Sequence, residues 1–578
     1  MKQETKNCQN CKKDFTIEPD DFGFYEKIKV LAPTFCPECR LIRRMTWRNE
    51  RSLYSRSCDM CHKSTIGTYP ADSPFTVYCH ECWWGDGWDG ASFSKEYDFS
   101  KSFFEQFKEL MNKIPRIAMT GSQNINSDYA NYSISNKNAY LCFASHYNED
   151  GAYLQYSNKT KNAYDCLHVN NAEFIVDCNY CTHLYRCAHL TYADSCSDTI
   201  LGYDLRGCNY CFGCVGLRQM SYHIFNVQYS KEEYKKKVTE LTESREAFQQ
   251  AKQQFEILKN SFPRVFAYQR KCVDCTGNDI EEGKYLHYAF SVRNSENSKY
   301  MSVNCVNVKD SMDVNNIAYD PSELCYEVQG VTNSNNIRFL DASWNNSFVE
   351  YTNLCFSSEY LFGCVGLKKK EYHILNKKYS KEEYKKMLEK IKIQMNQIKY
   401  FDSKGSSYGY GEFFPAELSP FSYNETIAMT YYPIKKEEAA AKSYKWRKDM
   451  KRNYKVTLQV HNLPSNPEQF KGSITNEIIN CVHEGKCDDG CTSAFRILLN
   501  EVQVYKSLGI QLPTMCPNCR NMERIKMRGP FKLYLRSCMC DKKHPHHQEK
   551  CSNEFETTYA PDRPEMIYCE RCYQQEVY

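Results

Sequence analysis

Short runs of aromatic and aliphatic residues recur through the middle of the chain, separated by Asn, Ser, Asp and Lys. They include NAYLCF, GAYLQY, NAYDCL, AEFIVD and HLYRCA, and their aromatic anchors lie 10–13 residues apart. Aromatic residues favour strands, and the polar residues between the runs favour turns. Because each run is too short to form a core alone, the pattern predicts a parallel β-solenoid whose stacked strands share one core. An antiparallel sandwich is the alternative.

The solenoid pattern occurs twice. FGCVGLRQMSYHIFNVQYSKEEYKKKV (212–238) returns as FGCVGLKKKEYHILNKKYSKEEYKKML (362–388). Each copy ends in an S-x-x-E capping box followed by an apolar stripe at helical spacing, so each solenoid is predicted to end in a helix. The helix either packs on its own solenoid or pairs with the other helix or with a second chain. The capping boxes are Ser230 with Glu233 and Ser380 with Glu383.

Two runs per coil would give about 21–24 residues per turn. Cys166, Cys187 and Cys208 are 21 residues apart and would then form one interior ladder. The stretch CNYCFGCVGL also has the C-x-x-C-x-x-C spacing of iron–sulfur proteins. Its second copy replaces Cys208 by Ser358 and Cys211 by Leu361. The spacing therefore favours buried interior cysteines over a cluster.

Pairs of C-x-x-C knuckles begin the chain. Two such pairs supply eight thiolates, enough for two tetrahedral Zn²⁺ sites without an open position, so the predicted sites are structural. Sequential pairing is the first interpretation, and interleaved pairing stays open. The predicted ligands are Cys8, Cys11, Cys36 and Cys39, then Cys58, Cys61, Cys79 and Cys82.

The C-terminal end repeats this plan at an offset of 480 residues, with LAPTFCPECR (31–40) matching QLPTMCPNCR (511–520). The third predicted site is Cys487, Cys491, Cys516 and Cys519. The fourth combines Cys569 and Cys572 with two of Cys538, Cys540 and Cys551, of which Cys551 is favoured by its spacing to Thr558. The cofactor prediction is therefore about four Zn²⁺ per chain. The roles of Cys272 and Cys275, of Cys481, and of the histidines from His544 to His547 stay open.

An arginine-rich stripe follows the second knuckle. Arg40, Arg44 and Arg48 lie four apart, on one side of a predicted helix. They either offset the charge of the thiolate sites or bind phosphates, beside aromatic side chains that could stack on bases. The candidate nucleic-acid-binding residues are Arg40, Arg44, Trp47, Arg48, Arg56, Arg520, Arg524, Arg528 and Arg536.

Composition limits the cellular setting. The chain of 578 residues contains 33 cysteines and carries a net charge of +4. No apolar run is long enough for a membrane span, and MKQETKNCQNC does not resemble a signal peptide. We therefore expect a cytoplasmic protein with reduced, metal-binding or buried cysteines and no membrane partner.

Three segments, CPECRLIRRMTWRNERSLYSRSCDMC, YPADSPFTVYCHECWWGDGWD and FETTYAPDRPEMIYCERCY, resemble an uncharacterised bacterial family of predicted zinc-ribbon proteins with a repeat region rich in Cys, Tyr and Asn. The resemblance covers nearly the whole chain and implies zinc-ribbon or treble-clef modules, but no activity. No P-loop or H-E-x-x-H motif occurs. His223 and His373 are the only candidates for an enzyme site, and both fit packed histidines better.

The sequence thus predicts a mostly β, multidomain, zinc-binding and non-catalytic recognition protein. Its partner would be nucleic acid or a ribonucleoprotein; the alternative is a protein-interaction scaffold using the Tyr-rich solenoid, and an enzyme ranks third. Its oligomeric state stays open. The predicted segments are a double zinc module (1–93), a connecting helix (94–116), the first solenoid (117–228), a helix (229–262), the second solenoid (263–377), a helix (378–400), a linker with a short helix (401–450) and a second double zinc module (451–578).

Overall fold

The computed structural model describes residues 2–317, 320–448, 454–465 and 473–578. Strands hold 34% of the residues and helices 24%, so the chain is mostly β. It divides into two compact units, each made of two separate segments: Met1–Met119 with Tyr268–Lys448, and Thr120–Ala267 with Asp449–Tyr578. Each compact unit therefore combines two parts of the chain that are far apart in sequence, whereas the predicted segments follow one another along the chain. In each unit, a cysteine-rich terminal segment packs with a distant strand-rich segment.

Parallel pairing dominates the strand-rich part of the second unit, here called the 121–228 stack. Its strands pair in parallel, except for the terminal hairpin of Ser221–Ile224 with Val227–Gln228. This contradicts the antiparallel sandwich. The other strands are Gly121–Ser122, Ala130–Asn131, Ser133–Ile134, Cys142–Phe143, Asn158–Tyr164, Leu167–Val176, Asn179–Thr182, Tyr185–Thr191, Ile200–Tyr203 and Asn209–Val215.

The 269–378 stack belongs to the first unit and has the same parallel pairing, again ending in a hairpin. Between Glu296 and Val331 the pairing offset widens to 13 or 14 residues. Its strands are Gln269–Arg270, Val273–Val306, Val308–Lys309, Met312–Ile317, Ser322–Thr332, Asn335–Trp344, Glu350–Asn353, Glu359–Phe362, Glu371–Ile374 and Lys377–Lys378.

The repeat in the 121–228 stack is twelve residues long. Ala163 pairs with Ile175, which pairs with Cys187, and Gly202 pairs with Cys214. The predicted coil of 21–24 residues is therefore wrong. The predicted ladder is wrong as well, because Cys187 lies in register with Ile175 and Ala163 rather than with Cys166.

Within each twelve-residue repeat the chain advances in triplets. Every third residue from Tyr132 to Tyr222 has a positive φ, a conformation that Asn and Asp tolerate better than most residues. Every third residue of another phase is buried in the interior, among them Cys166, Cys178 and Leu190. Several Asn and Asp residues, among them Asn138 and Asp177, occupy the positive-φ positions, and small apolar residues fill the interior.

The helices after each stack pack against that stack. Tyr234 contacts Tyr210 and Tyr222, and Tyr384 contacts Tyr372. Both predicted capping boxes are confirmed: each serine accepts a hydrogen bond from the glutamate N–H three residues later. The helices are Lys231–Thr242 and Arg245–Ser261 after the first stack and Lys381–Gln397 after the second; the predicted connecting helix is Phe103–Lys113.

Residues 401–450 were predicted to be a linker with a short helix, and their described part, 401–448, contributes to a hydrophobic core. Phe413 and Phe414 are fully buried, and Phe414 packs against Trp47 and Phe107. Burial of large aromatic side chains stabilises this path of the chain. The nearby glycine and serine residues had led to the prediction of a flexible linker. Its elements are Tyr400–Phe401, Ser407–Tyr408, Ala416–Leu418, Tyr423–Glu425, Ile427–Tyr431 and Lys436–Ala441.

Both termini consist of small hairpins followed by short helices. The N-terminal elements are Glu4–Asn7, Asp14–Ile17, Pro19–Lys27, Pro37–Met45, Tyr54–Ser57, Ser64–Gly67, Val77–Tyr78, His80–Trp84, Gly90–Phe93 and Arg116–Ile117. The C-terminal ones are Val460–Asn462, Ile474–Asn476, Ile479–Asn480, Ala494–Phe495, Leu499–Leu508, Pro517–Lys526, Tyr534–Ser537, Glu554–Thr557, Ile567–Tyr568 and Glu570–Val577, and Arg264–Val265 pairs with Ile567–Tyr568. Among the described residues, no helix combines the length and apolar character needed to cross a bilayer.

Candidate metal centres

Each terminal module uses the same local arrangement to gather four cysteines. The first cysteine follows a hairpin strand, as Cys8 follows Glu4–Asn7 and Cys58 follows Tyr54–Ser57. The third cysteine is the N-cap of a helix, and the fourth lies in its first turn. A hairpin and a helix start thus hold the four sulfur atoms together. The N-cap cysteines are Cys36, Cys79, Cys516 and Cys569.

The described residues include four such groups of thiols, and within each group all sulfur atoms lie within 4.8 Å of one another. The N-terminal groups follow sequential rather than interleaved pairing. The groups are Cys8, Cys11, Cys36 and Cys39; Cys58, Cys61, Cys79 and Cys82; Cys481, Cys491, Cys516 and Cys519; and Cys538, Cys551, Cys569 and Cys572.

The spacing of the sulfur atoms fits a tetrahedral metal ion. The Sγ–Sγ distance is 3.7 Å for Cys11 and Cys36 and 3.8 Å for Cys61 and Cys79. A tetrahedron with metal–sulfur bonds of about 2.3 Å has edges of about 3.8 Å. The disulfide bond, at about 2.0 Å, is much shorter. The groups therefore have the separation of metal ligands.

The first cysteine of each group also receives a backbone hydrogen bond. The N–H of Cys36 donates to Cys8 Sγ and that of Cys79 to Cys58 Sγ, both at 3.2 Å. Burial alone would raise the pKa of Cys58, but backbone hydrogen bonds, including that from Cys61, outweigh it and lower this pKa to about 6. At Cys58 the thiolate, the form that binds metal, is therefore favoured.

In the third group, Cys481 takes the place that the sequence had assigned to Cys487. The N–H of Cys516 donates to Cys481 Sγ at 3.3 Å, as Cys36 does to Cys8. The Cys481 thiol in turn lowers the pKa of Cys516 to about 4. Cys487 lies nearby, 3.6 Å from Cys519, but not at this position. Extra residues between Cys481 and Cys491 had hidden the equivalence with Cys8.

Substitution of Cys481 and of Cys487 tests which of the two is a metal ligand. We expect Cys481→Ser to remove the metal from the third group, whereas Cys487→Ser keeps it. Metal counts per chain by native mass spectrometry measure the difference. Loss of the metal only in Cys487→Ser would restore the original assignment, and retention in both variants would contradict both assignments.

The arginine stripe lies in the interior of the first unit. Arg40 Nη2 is 2.8 Å from Asp313 Oδ2, and Arg44 Nη1 is 2.9 Å from Glu327 Oε2. Arg43 bridges Glu327 and Glu412 at 2.7 and 2.9 Å. All three arginines are buried. The helix Pro37–Met45 therefore docks on the 269–378 stack through ion pairs.

The C-terminal module repeats this docking within the second unit. Arg520 and Arg524 both pair with Asp165 of the 121–228 stack, and Arg524 also reaches Asp177 at 3.3 Å. Asp165 and Asp313 each have a positive φ, so both aspartates occupy turn positions of their stacks. The arginines thus have the same role in both units.

This burial contradicts two expectations about the stripe. Arg40, Arg44, Trp47, Arg48, Arg56, Arg520 and Arg524 are buried, so they offer no surface to phosphates or bases. The hydrogen bonds of Arg40 and Arg44 also go to oxygen atoms rather than to the metal-group sulfurs. Carboxylates 269 or more residues away in sequence compensate their charge. Arg528 and Arg536 are half-buried, and for them the nucleic-acid prediction stays untested.

The C-x-x-C-x-x-C stretch follows the triplet repeat of its stack. Cys208, Cys211 and Cys214 are fully buried at consecutive interior positions. Each Sγ contacts the carbonyl oxygen two residues earlier, at 3.4–3.6 Å, as the sulfurs of Cys166 and Cys178 also do. The spacing thus comes from the three-residue period and needs no cluster to explain it.

The remaining candidate histidines and cysteines lie in or beside the packed stacks. His223 Nδ1 and His373 Nδ1 lie 2.8 and 2.7 Å from the carbonyl oxygen two residues earlier, in a buried position. Cys272 and Cys275 are half-buried beside the interior of the 269–378 stack. His223 and His373, which are equivalent in the two copies, thus have the geometry of packed side chains.

No family model matches the chain, and no curated protein matches it. A crystal structure of a "putative acetyltransferase" from Desulfovibrio desulfuricans G20 shares 10% identity over 44% of this chain and 66% of that one, with a TM-score of 0.10. A similarity this weak supports no conclusion about fold or activity. The resemblance to zinc-ribbon proteins therefore rests on the cysteine pattern and on the four thiol groups.

Proposed function

We propose that the chain is a non-catalytic, zinc-binding protein whose terminal modules are folded by structural metal. The observation that carries the proposal is the set of four Cys₄ groups whose sulfur atoms lie within 4.8 Å of one another. Zn²⁺ is the ion most often bound by four thiolates in small modules, and four protein ligands leave no position for substrate or water. The metal would act on the fold rather than on a bound molecule.

The metal sites are also joined to the docking surfaces. Cys36 caps the helix that carries Arg40 and Arg44, and Cys516 caps the helix that carries Arg520 and Arg524. A metal ion that fixes these helix starts would hold each arginine pair against its stack aspartate. We further propose that each stack is a parallel β-solenoid with coils of twelve residues, built to present these aspartates and a long outer surface.

Elemental analysis of the purified full-length protein tests the identity of the metal. We expect four or more zinc ions per chain and almost no iron, because tetrathiolate groups occur at four places. Visible absorbance of the iron–sulfur type, with iron in place of zinc, would contradict the proposal.

Aromatic rings on the outer face of the stacks favour a protein-interaction scaffold as the second function. Phe348 is 45% exposed and stacks on Tyr360, and Tyr210, 38% exposed, stacks on Tyr222. Such amphipathic rings are frequent in protein interfaces. The buried arginines do not offer a contact surface to nucleic acid. A pull-down with and without nuclease decides: a protein partner survives nuclease treatment, and a nucleic-acid partner does not.

A further inference from the structure

The fourth thiol group lies beside a second set of possible ligands that its N-terminal counterpart lacks. Cys540, His544, His547 and Cys572 have ligand atoms within 4.8 Å of one another. Cys572 belongs to this set and also to the Cys₄ group formed with Cys538, Cys551 and Cys569. One sulfur atom is thus placed between two ligand sets.

The extra ligands come from a single insertion. In the N-terminal module two residues separate Cys58 from Cys61, whereas twelve separate Cys538 from Cys551 in CMCDKKHPHHQEKC. The insertion is closed by a hydrogen bond of 2.9 Å from the N–H of Cys551 to the carbonyl oxygen of Cys540. His544 and His547 bond each other through their backbones at 2.9 and 3.1 Å. This turn holds both imidazoles at the thiol group.

The imidazole nitrogens are placed as ligands. His547 Nε2 lies 3.1 Å from Cys572 Sγ, and its Nδ1 lies 2.6 Å from the carbonyl oxygen of Glu549. A carbonyl acceptor at Nδ1 fixes the proton there and leaves the Nε2 lone pair for a metal, the usual outer contact of a ligating histidine. His546 Nε2 also approaches Cys572, at 3.3 Å.

His544 provides an independent observation. Its side chain is only 9% exposed, and its Nε2 has no hydrogen-bond partner, with Glu576 Oε1 at 3.8 Å. A buried ring nitrogen without a partner is costly unless it binds something. Cys540 is fully buried at the same place. One metal ion contacting His544, His547, Cys540 and Cys572 would satisfy all of these groups.

We propose that residues 538–572 bind two divalent metal ions joined by the thiolate of Cys572. The first ion takes the Cys₄ group, and the second takes Cys540, His544, His547 and the shared sulfur. Five thiolates and two neutral imidazoles around two dications leave a net charge of −1, compared with −2 for a single Cys₄ site. The inference rests on the proposed zinc binding and adds a fifth ion to it.

The metal content of full-length variants tests the fifth site. By native mass spectrometry, the zinc-loaded wild-type chain should carry five ions. The double variant His544→Ala/His547→Ala should carry four, and so should Cys540→Ser. His461→Ala, which changes an exposed histidine outside this cluster, should keep five. Four ions in the wild type, or an unchanged count in both variants, would overturn the inference, whereas a chain without zinc would overturn the proposed function itself.

Cobalt substitution tests the shared sulfur without depending on variant folding. Two Co²⁺ ions bridged by one thiolate couple their spins, so the wild-type chain should show fewer paramagnetic spins than bound cobalt ions. In the double histidine variant the spin count should equal the cobalt count. Equal spin and cobalt counts in the fully loaded wild type would overturn the bridge.

Discussion

Removal of the bound metal from the full-length protein will unfold the terminal modules and leave the parallel stacks largely intact. The hairpins of the modules have strands of only two to four residues, too few to form a stable core around the thiols. In such modules metal binding supplies folding free energy, about 10–16 kcal/mol for zinc-finger peptides. The stacks keep their own buried interior and their parallel hydrogen bonds. Hydrogen exchange with and without a strong chelator should lose protection over 4–93 and 479–578 first.

A matched pair of cysteines controls this experiment. Cys11 and Cys275 are both half-buried second cysteines of a C-x-x-C sequence, but only Cys11 belongs to one of the four thiol groups. Cys11→Ser should lower the metal count and expose the N-terminal module, and Cys275→Ser should do neither. If chelation leaves exchange in both modules unchanged, the ligand assignment is wrong.

Arg44→Ala will destabilise the first unit more than a surface change can. Arg44, Glu327 and Asp313 are fully buried, so the truncation removes one of the two cations that each carboxylate contacts. Asp313 then keeps only Arg40, and Glu327 keeps only Arg43. Breaking a buried ion pair from one side costs about 3–5 kcal/mol. Urea denaturation measures the loss of unfolding free energy, and hydrogen exchange over 37–45 shows whether the helix is affected. The salt dependence should be weak because solvent ions do not reach the pair.

Lys442→Ala is the control for Arg44→Ala. Lys442 Nζ lies 2.6 Å from Glu438 Oε1, four residues earlier, and both side chains are about half exposed. Such a surface pair contributes about 0–1 kcal/mol. Similar losses of stability in the two variants would mean that the arginine stripe does not dock the helix. If the wild type bound RNA more tightly than Arg44→Ala does, the phosphate interpretation would be supported again.

Local sequence patterns predicted the features that depend on neighbouring residues. The C-x-x-C knuckles located most of the thiol groups, and the S-x-x-E boxes located two helix starts. Parallel pairing also followed from the repeated strand-like runs. In each case the physical cause lies within a few residues, as with a side chain that caps the next turn.

Features set by distant residues could not be predicted in this way. The partner of Arg40 is Asp313, and the stripe alone cannot distinguish a buried carboxylate from a phosphate. Phe413 and Phe414 pack in a core although glycine and serine precede them. The twelve-residue repeat had a local signal that was missed: Cys178, Cys181, Cys187, Cys196 and Cys208 are separated by multiples of three. Cysteine spacing alone, however, does not give the number of triplets in one repeat.

X-ray absorption at the zinc edge of the full-length protein tests the central claim most directly. Metal held by the four thiol groups should show a first shell dominated by sulfur at about 2.3 Å, with nitrogen as a minor contribution. Zinc surrounded mainly by oxygen or nitrogen at about 2.0–2.1 Å would contradict the account, because the ion would then lie outside the Cys₄ groups on which the modules are proposed to fold.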